Sequence, residues 1–254
     1  MLVVNFGVRS LLKNLVTRPA ARFNKLCRAN DLRLDYGPNA DGLPVLDAIF
    51  RGREYADHFP FYQAATVVDI GAHYGYFSLF AAANLAPRST VYAIEPAAAN
   101  VKVLKRNLRD SGAGRVHPHQ LAIAGRSGKA TLHIGRGENN SLLPDYRLLP
   151  DNSLVSEVNA LSLEDFMTDH NIEFIDFLKL DCEGAEYDIL FNASTEVLRR
   201  ITTISLEFHD LKSTTANGGA LVKHLRETGF RIVKFTHEPT SQNLNYGKIV
   251  GTRE

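Results

Sequence analysis

The chain has 254 residues, 29 Lys and Arg against 28 Asp and Glu, and an apolar fraction of 44%. So balanced a charge leaves no basic footprint for nucleic acid. Its two cysteines, Cys27 and Cys182, lie far apart without CxxC spacing; this excludes a disulfide scaffold or zinc module and suits a reducing, cytoplasmic compartment. No apolar run reaches the roughly 18 residues needed to span a bilayer.

Met1–Ala29 carries six basic residues and no acid, interleaved with Leu, Val and Phe. The basic residues follow the apolar ones and no small-residue cleavage site appears, so the segment does not read as a secretory signal. The expectation is an N-terminal helix docked on its own domain; the alternative is a basic arm on an anionic partner or membrane surface. Residues 1–53 are assigned to a helical extension and 54–254 to the main domain. Pro38, Asn39, Asp41, Gly42 and Pro44 mark a turn region, and Leu46, Ile49 and Phe50 a short helix.

From Thr66 the pattern alternates. Thr66–Ile70 and Thr90–Ile94 read as strands, separated by a helix over Gly75–Ala86 that Pro87 stops. A helix over Ala98–Asp110 and a strand over Val116–Ile123 follow. Ala130–Ile134 and Val155–Ala160 predict two further strands around the polar loop beginning at Gly135. Ser162 offers an N-cap for a short helix to about Asp169. Then come a strand at Ile175–Leu180, a helix at Glu186–Leu198, a strand at Thr202–Phe208, a helix at Gly219–Thr228, and strands at Phe230–Phe235 and Tyr246–Gly251. No helix separates the last two, so they should pair antiparallel. Five strands with helical crossovers and a terminal hairpin predict a Rossmann-like α/β fold of the class I methyltransferase type, with seven strands in a mostly parallel sheet.

Three stretches carry chemistry. Asp69-Ile70-Gly71-Ala72-His73-Tyr74-Gly75 follows the first strand. Its two glycines let backbone approach a ligand, and it lacks the third glycine of the dinucleotide pattern. An acid at that point suits a ligand with a positive charge, such as the amino group of S-adenosylmethionine. Glu95 ends the next strand, where a carboxylate can accept both ribose hydroxyls, and Ala122 and Ile123 could flank an adenine ring. Lys179-Leu180-Asp181-Cys182-Glu183-Gly184-Ala185-Glu186 crowds three acids and a lysine at a strand end, where ligands bind in open α/β sheets. Strand alternation would point Lys179, Asp181 and Glu183 to one side. Glu207-Phe208-His209-Asp210 closes the following strand at the same sheet edge.

These motifs, with Ile94-Glu95-Pro96, Asn107, Ala122 and above all the run from Asp176 to Glu186, resemble the FkbM family of methyltransferases, from about Glu54 to Gly251. The Lys179–Glu186 block is the most specific part. The resemblance implies S-adenosylmethionine as donor and a hydroxyl of a sugar, glycan or polyketide-like natural product as acceptor. One departure is His73, where the family commonly has Asn. Cofactor contacts are expected from Asp69, Gly71, His73, Gly75, Glu95, Ala122 and Asp181. Candidate catalytic residues are Asp181, His209, Glu183, Glu207 and Lys179, with His209 or Asp181 first as base and Lys179 tuning Asp181 or touching the acceptor. Loop 135–150 would help define the acceptor site. Asp181, Glu207 and His209 could instead hold a divalent cation that acidifies the acceptor hydroxyl, although the spacing does not require one. Competing readings are nucleic-acid methylation, disfavoured by the missing N/D-P-P-Y/F motif, a non-catalytic S-adenosylmethionine-binding module, and an NAD dehydrogenase.

Overall fold

Thr66–Ile70 (β3), Thr90–Ile94 (β4), Ile175–Leu180 (β9) and Ile201–His209 (β10) are runs of five to nine residues rich in apolar and β-branched side chains. Runs that short make buried strands rather than buried helices. In the computed structural model, which describes residues 27–29, 32–37, 42–135, 140–144, 154–211, 213–239 and 245–253, they form the centre of a seven-stranded sheet. With Val116–His119 (β5), Arg231–Pro239 (β11) and Asn245–Thr252 (β12), the strand order is β11-β12-β10-β9-β3-β4-β5. All neighbours are parallel except those of β12, which runs antiparallel to both β10 and β11. The expected sheet and its terminal hairpin are therefore both present.

The remaining strands lie outside this sheet. Cys27–Ala29 (β1) and Leu32–Leu34 (β2) pair as a short ribbon. Ala122–Ile123 (β6), Gly128–Ile134 (β7) and Leu154–Leu161 (β8) form a second sheet in the order β6-β8-β7. The single strand expected at Val116–Ile123 is thus two: β5 pairs with β4, and after Gln120 and Leu121 the chain changes sheets so that β6 pairs with β8. Pro118 sits in β5, the last strand of its sheet, where a missing N–H is tolerated. The helix expected at Glu186–Leu198 is also two, Glu186–Asn192 and Thr195–Arg199. Ser194 restarts it by accepting a hydrogen bond from the Val197 N–H, a side-chain N-cap. Ser162 caps the helix Leu163–Asp169 in the same way through Asp165.

Successive strand residues face opposite sides of the sheet. Val68, Ile70, Leu178, Leu180, Ile204 and Leu206 pack with the helices Leu163–Asp169, Glu186–Asn192 and Gly218–Glu227. Val67, Val91 and Phe177 pack on the other face with Phe77, Leu79 and Leu104, from the helices Tyr76–Asn84 and Ala98–Asp110. Leu34, Tyr36, Leu46, Ile49 and Phe50 join this second core, the last three from the helix Leu43–Phe50. The proposed N-terminal helix and its alternative, a basic arm, fall on a stretch of which residues 1–26 lie outside the described residues. Among the described residues no helix is long and apolar enough to cross a membrane.

Candidate active site

The carboxyl ends of β3, β4, β9 and β10 open onto one cleft of about 740 Å³. Its first wall is the turn after β3. Gly71 has φ 76°, and a Cβ there would lie 1.8 Å from the Asp181 carbonyl oxygen, so only glycine lets the two strand ends approach this closely. His73 also adopts a left-handed conformation, φ 51°. Its backbone N–H donates to Glu95 Oε2 at 2.9 Å and its ring stacks on Tyr74 at 3.8 Å between centroids. Both ring nitrogens are buried without a hydrogen-bond partner. Burial, helped by the positive charge of Lys179, lowers its pKa to about 4, so the ring facing the cleft is neutral. Glu95 is buried and accepts from the Ala97 N–H at 3.0 Å and Asn100 Nδ2 at 3.1 Å. Burial still raises its pKa above that of an ordinary carboxyl. Ala122 and Ile123 complete an apolar section of this wall with Leu121 and Leu142.

Two expected cofactor contacts are corrected. Asp69 is fully buried and does not line the cleft. The parallel register of β3 and β9 sets it opposite Lys179. One carboxylate oxygen lies 3.0 Å from Lys179 Nζ, and the other accepts from Ser78 Oγ at 2.6 Å. Its charge holds the lysine rather than a ligand. Gly75 also lies off the cleft. It starts the helix Tyr76–Asn84 at φ 83°, and a Cβ there would meet Leu104 at 2.2 Å, so the position is reserved for packing.

Lys179 is the buried hinge between the two halves of the cleft. Its ammonium donates to the Gly71 carbonyl at 2.8 Å and lies 4.0 Å from Asp181. Burial pulls its pKa down, but Asp69 and Asp181 more than offset this, so it stays charged. Strand β9 ends at Leu180, so Asp181 and Glu183 belong to a turn and not to the extended strand whose alternation would align them with Lys179. Glu183 has φ 55°. Both nevertheless reach the cleft.

The second wall is built from charged side chains. Tyr55 donates to Asp181 Oδ2 at 2.8 Å, and its ring lies 5.4 Å from both Lys179 Nζ and Lys248 Nζ. Burial acts to raise the Asp181 pKa, yet Lys179, His209, the Tyr55 hydrogen bond and Lys248 together bring it below the ordinary value. His209 stands among three carboxylates: Glu183 and Glu186 at 3.6 Å and Glu207 at 3.5 Å. Burial would lower its pKa, but these acids raise it well above 6.5. Of the two first choices of general base, His209 and Asp181, the histidine is therefore biased towards its protonated form. Glu207 differs. Burial and the nearby Asp181 raise its pKa, against the opposing pull of His209 and Lys248. Its proton affinity therefore lies above that of an ordinary carboxylate. The antiparallel register of β12 on β10 sets Lys248 opposite Glu207 and Tyr246 opposite His209, so the terminal hairpin contributes to the site.

Asp181, Glu207 and His209 each offer one ligand atom, all within 4.8 Å of one another. The positive charge that a cation would supply there already comes from Lys179, from Lys248 at 3.8 Å from Glu207, and from the protonated His209. Cys182 lines the cleft, but burial raises its pKa well above the ordinary thiol value, so it is no nucleophile. Of the 135–150 loop, Asn140 and Leu142 line the cleft, and Ser141 Oγ donates to the Glu183 carbonyl at 2.7 Å. Residues 136–139 and 145–150 lie outside the described residues.

Tyr55, Asn100 and Lys248 were not singled out by the sequence. Tyr55 is 126 residues from its partner and belongs to no periodic element. Its position is fixed by the aromatic cluster beneath it. Phe59 packs edge-on against Phe177 at 5.2 Å, and Tyr55 against Phe77 at 5.8 Å.

The sheet order, the antiparallel β12 and the cleft at the strand ends define a Rossmann-like S-adenosylmethionine methyltransferase fold. Residues 69–232 match the Methyltransferase FkbM domain, and the chain belongs to that family. It is 27% identical over 194 residues to Methyltransferase 1 of Beauveria bassiana, covering 69% of this chain and 76% of that one. It is 29% identical over 208 residues to the AMB antimetabolite synthetase AmbE of Pseudomonas aeruginosa, covering 66% of this chain but only 10% of that much longer protein. The N-terminal domain of EvdMO1, solved with SAH bound, has the same fold, with a TM-score of 0.53, 14% identity and 97% of each chain covered.

Proposed function

We propose that the protein is an S-adenosylmethionine-dependent O-methyltransferase that uses Glu207 to deprotonate an acceptor hydroxyl. The acceptor is a small molecule or glycan, drawn from sugars and polyketide-like natural products, and no nucleic acid is involved. The donor supplies a methyl group activated as a sulfonium. Gly71, Ala72 and His73 would lie along its amino-acid part, Glu95 would accept the ribose hydroxyls, and Ala122 and Ile123 would flank the adenine. The turn residues Gly71, Ala72 and His73 along the cleft, and a buried carboxylate at the end of β4, support that placement.

The observation that carries the reading is Glu207, a carboxylate with a raised pKa, set beside the protonated His209 and Lys248 in the same cleft. A base works best when its pKa approaches the working pH. Once Glu207 has taken the proton, the Glu183 and Glu186 carboxylates still favour the charged form of His209. Little else is asked of the protein, because in-line transfer depends mostly on positioning, on the order of 7–11 kcal/mol in favourable cases.

The test is Glu207→Gln, assayed for turnover against a panel of glycosides and secondary metabolites, with donor affinity measured by calorimetry. Loss of turnover on the order of 10²–10⁴-fold, with donor affinity kept, is the expected result. A variant that turns over normally removes Glu207 from the chemistry.

A further inference from the structure

A second cavity of about 450 Å³ lies against the first. Ala48, Glu54, Tyr55 and Lys248 line both, so these four residues form the partition between them. It is held by side-chain contacts: the Glu54–Lys248 ion pair and the Tyr55 hydrogen bond to Asp181. Asp181 and Glu207 line the inner cavity beside this partition. Arg53, Asp57 and Lys234 line the outer cavity only, with Lys234 Nζ 2.6 Å from Asp57 Oδ2.

The strap that carries the partition is held in an unusual shape. Arg53, Tyr55, His58 and Tyr62 all have φ between 56° and 62°, without a glycine among them. Non-glycine residues in the left-handed region are uncommon and cost free energy each time, and such positions gather at ligand clamps. Phe59 and Phe61, packed 5.0 Å apart, anchor the strap on the core.

We propose that the outer cavity is the subsite for the non-reacting part of the acceptor, and that this part is a sugar unit rather than an apolar polyketide surface. The proposal rests on the reading that the protein methylates a hydroxyl and narrows the acceptor to a glycan or glycoside. The chemistry of the lining selects it. Lys234 with Asp57 and Lys248 with Glu54 are two pairs of opposite charge, and Arg53 adds further donors, so the wall offers both donors and acceptors. Hydroxyl groups are both donor and acceptor and satisfy both kinds of partner. An apolar ligand would bury these charges without replacing their water, which is strongly unfavourable. A polyanion would have to displace Asp57 and Glu54 from their lysines. With one sugar in the outer cavity, a hydroxyl of its neighbour would reach past Tyr55 to Glu207.

The experiment compares the full-length wild type with the Asp57→Leu/Lys234→Leu double variant, both saturated with SAH. Ligand-observed NMR titrations use methyl β-maltoside, methyl β-glucoside and an apolar macrolactone. Asp57 and Lys234 are exposed, and matching melting curves and SAH affinities establish that the variant is folded. In the wild type the maltoside is expected to bind at least tenfold more tightly than the glucoside and the macrolactone. The variant should lose at least tenfold for the maltoside, keep its weak glucoside binding, and gain affinity for the macrolactone. Absence of maltoside binding to the wild type, equal binding of the two glycosides, or maltoside affinity untouched in the variant would each overturn the proposal. The wider O-methyltransferase reading stands or falls separately, on the turnover of Glu207→Gln.

Discussion

The two walls of the cleft are built from different materials. The wall proposed for the donor is mostly backbone: a glycine against a carbonyl oxygen, a buried carboxylate held by peptide N–H groups, and short apolar stretches. The wall proposed for the acceptor is side chain throughout: Tyr55, Asp181, Glu183, Glu207, His209 and Lys248, from four separate parts of the chain. Backbone walls have one shape, and a methyl group in the wrong place ruins them. Side-chain walls can be re-lined without refolding. Substitutions on the first should therefore strike folding and donor affinity, and those on the second turnover and acceptor choice.

The sharpest break of the donor wall is Gly71→Ala. Its Cβ would lie 1.8 Å from the Asp181 carbonyl, with φ already at 76°. Neither atom belongs to a flexible side chain, so β3 and β9 would have to part. The expected loss exceeds the roughly 4–5 kcal/mol that marks exceptional single substitutions. Denaturant unfolding checks it: a stable, SAH-binding Gly71→Ala protein would mean that the strand ends can separate freely.

Asp69→Asn comes next and acts underneath both walls. It leaves the buried Lys179 ammonium without its 3.0 Å partner. Breaking a buried pair from one side costs about 3–5 kcal/mol. Asp181 then remains as the lysine's nearest carboxylate, 4.0 Å away. Thermal melts of Asp69→Asn and of Asp69→Asn/Lys179→Met separate the two effects, and the double variant should regain much of the loss.

On the acceptor wall the prediction concerns pH. As the proposed base, Glu207 would have to be deprotonated to act, and its pKa is raised by burial and by Asp181. The wild-type kcat/KM should rise with pH through a single ionisation above the ordinary carboxyl value of 4.5. The small residual rate of Glu207→Gln should be flat across that range. Since Lys179, Lys248 and the protonated His209 already balance the acids, exhaustive EDTA treatment should leave turnover within about twofold of untreated enzyme. Reactivation only by added Mg²⁺ or Mn²⁺ would reinstate the cation-binding alternative.

The same division explains what was legible before folding. Local patterns announced the backbone wall. The strand Thr66–Ile70, the turn glycine Gly71 and the strand-end Glu95 lie where an apolar run meets a turn residue. Asp69 shows the limit of such reading. Its place in the motif was plain, but its partner Lys179 arrives by strand register across more than a hundred residues. The charged wall was half legible. Asp181, Glu183, Glu207 and His209 gave themselves away as acids and an imidazole at strand ends. Which of them is the base was not visible, because burial and neighbours reorder their proton affinities and put His209 out of play. Tyr55 and Lys248 reach the site through an irregular strap and through antiparallel pairing, and neither leaves a periodic trace. The split of Glu186–Leu198 into two helices turned on a single cap at Ser194 inside an otherwise continuous pattern.

The smallest predicted effect tests the one residue of the backbone wall that carries a titratable ring. His73 has a pKa of about 4 in the folded protein against an ordinary 6.5. Between those values the unfolded chain holds a proton that the folded chain does not, so stability falls as pH drops from 6.5 to 4. The full shift corresponds to at most about 3 kcal/mol. His119 acts in the same direction, with its pKa also lowered to about 4 by burial and by the neighbouring His170 and His117. His209 acts oppositely: its pKa is raised, so its contribution is complete below 6.5 and fades only as pH rises through its folded value. Asn at position 73 keeps the left-handed turn, since Asn tolerates positive φ better than most residues, but it does not titrate. Urea unfolding of apo wild type and His73→Asn at pH 7 and pH 4.5 isolates the term. The variant should lose about 1–3 kcal/mol less stability than wild type between the two pH values, and SAH affinity at pH 7 should change only a few-fold. An identical pH dependence in both proteins would mean that the ring is solvated and does not belong to the wall.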